Sequence, residues 1–132
     1  MTRFLALPLI LAAAAVPALA QDTSPAQLRS GYEAESGAAA DPAAGKAFFL
    51  AEHSGGKPET PSCVTCHTSD PRAAGQARTG KTIEPLAPAA NPERLTDSAK
   101  VEKWFGRNCN SVLGRDCTAA EKANIVAWLA SF

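Results

Sequence analysis

The chain has 132 residues, and its 13 basic and 13 acidic side chains leave no formal net charge at pH 7. That balance excludes the one-sided basic field by which a domain holds a nucleic-acid backbone. The length suits one domain with a modest core, and a monomer is expected.

Arg3 precedes "FLALPLILAAAAVPALA", an apolar run broken by Pro8 and Pro17 and too short to span a bilayer comfortably. The run ends in Ala18-Leu19-Ala20, the small-residue pattern of a signal peptidase site. Residues 1–20 are therefore expected to be a signal peptide, with an uncleaved anchor as the alternative. Residues 21–132 would be the mature domain, exported to the periplasm with no membrane span. Export permits spare cysteines to oxidise.

Ser24, Pro25 and Gln27 carry a capping box with proline at the first helical position, and Leu28 and Tyr32, four apart, give that helix one apolar edge. Asp41 and Pro42 open a second helix, which Ser54-Gly55-Gly56 ends. Residues 54 to 62 read as a loop. Ser69 to Pro92 reads as a longer one, punctuated by prolines and glycines without sustained periodicity. A loop that long in a compact domain usually wraps something. Behind Asp97, the residues Val101, Trp104, Phe105 and Asn108 fall at i, i+3, i+4 and i+7. Behind Thr118, with Glu121 closing a capping box, Ile125, Trp128, Leu129 and Phe132 repeat that spacing. With no strand runs and no internal repeat, the class is all-α.

The chemistry is carried by "CVTCH", Cys63 to His67. Two thiols one helical turn apart can add to the two vinyl groups of haem, and the next imidazole is then placed over the iron. Cys63 and Cys66 are thus the candidate thioether residues of one haem c, and His67 the candidate proximal ligand. A dithiol redox pair would need a βαβ context that is absent, and a zinc site would have to recruit Cys109 and Cys117 with His67. At this point the chain resembles the class I cytochromes c. Gly45 to Phe49, "GKAFF", is similar to their N-terminal helix pattern, in which a small residue lets that helix cross closely over the C-terminal one beside Trp128.

A haem iron held by one histidine has a sixth position. Carriers of this size commonly fill it with methionine, yet the only methionine here is Met1. His53, a lysine, a hydroxyl, an asparagine, water or nothing at all are the remaining candidates. His53 is the strongest by chemistry, but it precedes the cysteine motif by ten residues, and a lone histidine at a helix end is more often a solvated cap. Two asparagines follow the long loop. Counting from Val101, Asn108 lies at about 340°, in the sector of Trp104 and Phe105, whereas Asn110 lies at about 180°. A polar side chain inside an apolar face needs a partner, and an iron would be one; a C-cap near Gly106 is the alternative role. Asn108 is the first choice. Neither Cys109 nor Cys117 is followed by histidine, so a second attached haem is excluded. In an exported chain the two are most simply a disulfide, worth about 2.5 kcal/mol by loop entropy, with free thiols or an intermolecular bridge as alternatives.

Gly80 to Lys122, which contains "KWFGRNCNSVLGRDC", resembles the oxygen-binding cytochromes c of the sphaeroides haem protein type. The resemblance implies that His67 is the proximal ligand, Asn108 the distal one, and Cys109–Cys117 a disulfide. It also implies that Asn108 leaves on reduction, so that a diatomic gas binds, and that a dihaem cytochrome c donates electrons. An amide oxygen is a hard, weak ligand that ferric iron tolerates and ferrous iron holds poorly. A peroxidase or a reductase of oxygen or nitrogen oxides would want an acid–base residue over the iron, for which Arg107 is the nearest substitute. A plain electron shuttle would keep its sixth position sealed. Two supporting roles are further expectations: a carbonyl of the Pro85–Pro88 stretch accepts His67 Nδ1–H, and Arg78 and Lys81 neutralise the haem propionates.

Overall fold

Two of the five helices open on a proline behind a side-chain cap, in a structure that is a computed structural model and describes residues 21–132. The expected signal peptide lies outside the described residues. Helix α1, Pro25–Ser36, begins where Ser24 Oγ accepts the Gln27 N–H at 3.2 Å, so one half of the expected capping box forms. Helix α2, Pro42–Leu50, begins where Asp41 accepts the N–H groups of Ala43 and Ala44. Proline costs nothing there, because its missing N–H would be an orphan of the first turn. This helix stops at Leu50, ahead of the Ser54-Gly55-Gly56 breaker.

Helix α3 is the single turn Val64–His67. Strands β1, Gly75–Gln76, and β2, Thr82–Ile83, then pair antiparallel, with Gly75 opposite Ile83. The sequence pointed only to loop here. Two-residue strands have no room for an alternating pattern, and this pair is held by the turn in which Ala77 N–H reaches Lys81 and Gly80 N–H reaches Ala77. Helix α4, Ser98–Leu113, is capped by Asp97, passes straight through Gly106 and ends at Gly114. Asn108 is therefore a mid-helix residue, not a C-cap. Helix α5, Ala119–Leu129, carries both halves of the Thr118–Glu121 box. Phe132 falls beyond its end and is 43% exposed, edge-on to Trp128, instead of continuing the buried face.

The core is built around α5, where Ala123 and Ile125 to Leu129 are all buried. Helices α1 and α2 both pack on it, bringing Leu28, Tyr32 and Phe49 into contact with that face. The close crossing expected of Gly45 is present: a Cβ at this position would collide with the backbone of Asn124 and Ile125. The crossing sets Phe49 against Trp128, ring centroids 5.0 Å apart, and Phe49 in turn lies 6.1 Å from the His67 ring. The helix packing thus reaches the site directly.

Candidate haem-binding site

A cavity of about 300 Å³ opens between the α3 turn and α4. Cys63, Cys66 and His67 line it from one element; Val101, Trp104 and Asn108 line it from the other. The three residues of the cysteine motif converge because α3 winds them into one turn, with His67 N–H donating to Cys63 C=O at 3.1 Å. Thr68, at φ 63°, turns the chain out of that helix immediately after the histidine. Gly75 closes the turn from outside, since a Cβ there would strike the Cys66 carbonyl. Pro71, fully buried, offers its carbonyl to the N–H groups of Leu86 and Ala87 and so folds the long loop back over the motif. Sequence reasoning missed both Gly75 and Pro71. The usable signal was the glycine–proline punctuation itself, which marks turns without saying what they turn around.

The electrostatics suit a bound metal group better than the alternatives. Burial, helped by the Arg94 cation, pushes His67 down to about 4, which keeps its imidazole neutral as metal ligation requires. Burial pushes the Cys63 thiol up to about 11, opposite to the lowered value of a redox-active dithiol. Cys109 and Cys117 form a disulfide with Cα atoms 5.5 Å apart, which removes them as zinc ligands. Among the described residues no group of three or more His, Cys, Asp or Glu is placed to hold a metal ion. Cys63 and Cys66 remain unpaired, and His67 Nδ1 is buried without a hydrogen-bond partner. Two free thiols and a neutral imidazole lining one cavity fit a group that reacts with thiols and binds imidazole.

Other expected placements divide. Asn108 is partly buried and lines the cavity. Asn110 is exposed on the opposite face, where its Nδ2 donates to Gly106 C=O at 2.8 Å and to Asp116 at 2.6 Å. His53 lies outside the cavity lining, its Nε2 2.8 Å from the Phe48 carbonyl and its ring tilted 45° against Phe48, centroids 4.7 Å apart. No carbonyl of the Pro85–Pro88 stretch accepts from His67, whose Nδ1 has no hydrogen-bond partner; the Pro85 carbonyl accepts instead from Arg94 Nε at 2.9 Å and Asn91 Nδ2 at 3.4 Å. Arg78 pairs with Glu59 at 2.9 Å, and neither it nor Lys81 lines the cavity. Arg107 is also outside the lining and stacks over Trp104, 5.4 Å from the ring centre.

Comparison with known proteins bears on the family and on the cofactor. The chain matches, over residues 35–129, a family described as a domain of unknown function, DUF1924. It is 65% identical over 131 residues to the cytochrome c-type protein SHP of Cereibacter sphaeroides, covering 99% of each chain. The chain belongs to the SHP family of c-type cytochromes. Cytochrome c'' of Methylophilus methylotrophus is a more distant relative, 44% identical over 64% of this chain and 60% of its own length. Among solved structures, oxidised SHP, described as an oxygen-binding cytochrome c, superposes with a TM-score of 0.82 at 66% identity. That match covers 84% of this chain and 99% of SHP. Oxidised cytochrome c'' follows at 0.68 and 37% identity, covering 81% and 93%.

The cofactor of this SHP-type cytochrome is accordingly one covalently attached haem c, within an all-α cytochrome c fold. No helix among the described residues is long and apolar enough to cross a membrane.

Proposed function

We propose that this SHP-type protein is a periplasmic monohaem cytochrome that exchanges electrons and, when reduced, binds a small diatomic ligand such as oxygen, nitric oxide or carbon monoxide. When bound, haem c supplies one-electron exchange at iron and a sixth coordination position. Cys63 and Cys66 hold it through thioether bonds, His67 provides the proximal nitrogen, and Asn108 provides the distal amide oxygen. The observation that carries the reading is that Asn108 shares the cavity with His67, whereas Asn110 and His53 do not.

Asn108 is suited to a conditional role. Its amide oxygen is a hard donor that suits the higher oxidation state and holds the lower one weakly. Once released, the same amide can turn its N–H to an incoming ligand. The partner is a redox protein, a dihaem cytochrome c by family likeness, and the protein works as a monomer. Residues 1–20 act as an export signal and residues 21–132 as the cytochrome domain; the Cys109–Cys117 disulfide accords with an oxidising compartment. Arg107, the residue nearest to a peroxidase-like role, is occupied with Trp104.

Visible spectra of oxidised and reduced protein, with and without carbon monoxide, test the reading. Ferrous protein whose spectrum ignores carbon monoxide would leave the plain electron shuttle in its place.

A further inference from the structure

Arg94 is a cation with no carboxylate in ion-pairing contact among the described residues. It is partly buried and lines the cavity together with His67 and Asn108. Its Nε donates to the Pro85 carbonyl at 2.9 Å and its Nη2 to the Glu84 carbonyl at 2.7 Å. Both acceptors are neutral. Among the described residues no carboxylate lies within 4.0 Å of the guanidinium, whereas Arg72, Arg78 and Arg115 each have such a partner. The Glu84 side chain favours the charge only from farther away. A guanidinium carries five N–H donors, so Nη1 is left with both of its own unspent.

The placement is built, not incidental. Arg94 N–H closes a turn on Asn91 C=O at 2.9 Å, and the next residue, Leu95, is buried at φ 65°. A left-handed leucine costs on the order of 1–2 kcal/mol, a conformation that persists only where packing enforces it. Here Leu95 is held in the core cluster with Val101 and Leu129. The backbone therefore fixes Arg94 at the cavity wall, and its two carbonyl bonds fix the guanidinium plane. A part-buried charge without a counter-ion is unfavourable unless an anion completes it. Haem c brings two carboxylates of its own.

We propose that Arg94 is the charge partner of a haem propionate, and that its fixed cation biases the iron toward the ferrous, ligand-binding state. This rests on the haem reading given above. Removing the cation also unmasks the propionate, and both changes favour the more positive ferric iron. Arg94 would thereby set how readily the Asn108 position opens at a given redox poise.

Potentiometric titration of the exported holoprotein tests this. Arg94→Gln should shift the ferric/ferrous ratio about tenfold toward ferric, equivalent to a potential lower by about 59 mV. Arg94→Lys should stay within about threefold of the wild type, since it keeps the charge. Lys lacks the planar fork, so the propionate-bending bands in resonance Raman should nevertheless move in Arg94→Lys. Arg78→Gln and Lys81→Gln should leave both readouts unchanged. The proposal is overturned if Arg94→Gln carries its haem normally and titrates like the wild type, or if Arg78→Gln shifts the couple as far. Should Arg94→Gln fail to accumulate, unmoved propionate bands in Arg94→Lys overturn it equally. A wild-type protein exported without covalent haem would instead remove the haem reading itself.

Discussion

Replacing Cys109 and Cys117 together by alanine separates what the disulfide does for stability from what it does for the site. Both residues are buried, 6% and 7% exposed, so alanine avoids introducing a hydroxyl that would lack a partner. The bridge spans a sequence separation of 8. Closing so short a loop removes about 2.5 kcal/mol of conformational freedom from the unfolded chain. For a domain of this size that lowers Tm by roughly 10 °C. Helix α4 should survive, because its last turn has other ties. Gly114 N–H caps Asn110 C=O at 3.1 Å, Lys57 N–H donates to Ser111 C=O at 2.7 Å, and Thr60 Oγ1 donates to the same carbonyl at 3.1 Å. Calorimetry of the oxidised holoprotein measures the first effect, and the rate of carbon monoxide binding to the reduced protein measures the second. Haem should be retained, and ligand entry should quicken because Asn108 adjoins one of the released residues. An unchanged Tm would refute the loop-entropy reasoning. A lower Tm with unaltered ligand kinetics would show that the bridge does not steady the distal residue.

Asn108→Ala should give a folded haem protein whose ferric iron takes cyanide or azide more readily, while Asn110→Ala, on the exposed face, should titrate with these anions as wild type does. Asn108→His should seal the iron in both oxidation states, so a reduced spectrum that still responds to carbon monoxide would count against Asn108 as the distal residue. Gly45→Val forces a branched side chain into the backbone of α5 and should destabilise the fold by about 3 kcal/mol or more, read as a lowered midpoint in guanidinium. Intact mass of the exported protein should correspond to cleavage after Ala20, one added haem and two hydrogens lost at Cys109 and Cys117; four alkylatable cysteines would contradict both attachment and bridge.

Legibility in the sequence followed the range of the forces involved. Helix starts were readable from local chemistry, because Asp41, Asp97 and Thr118 cap their own backbone within a few residues. The α4 face was readable for the same reason: helical phase is local, and it put Asn108 on the cavity side and Asn110 outside. The Gly75–Ile83 pairing, the Pro71 carbonyl and the Arg94 fork were not readable, because each joins two points in or just beyond one aperiodic loop, across turns that no periodicity marks. Arg78 and Lys81 were plausible propionate partners by charge and loop position alone. What the structure adds is that Arg78 pairs with Glu59, 19 residues away, a contact that no periodicity announces.

A weak ligand is useful as a switch only when little else moves with it, and α4 is tied on both sides of Asn108. At its start, Asp97 caps Lys100 N–H at 2.8 Å, and Asp22 accepts both the Ser98 N–H and the Ser98 hydroxyl. In its middle, Glu102 receives the Tyr32 hydroxyl and the Lys122 ammonium, which fastens α4 to α1 and α5. At its end stand the disulfide and the Ser111 carbonyl bonds. With the backbone so held, the proposed release of the Asn108 amide would require rotation of one side chain rather than displacement of a helix, a collective motion of the μs–ms scale. On that proposal the free-energy difference between closed and open states would reduce to the strength of one amide–iron contact, which the oxidation state would change directly. Loosening the frame, as in the alanine pair above, would add helix motion to that difference. The coupling of ligand access to the iron's charge would weaken accordingly.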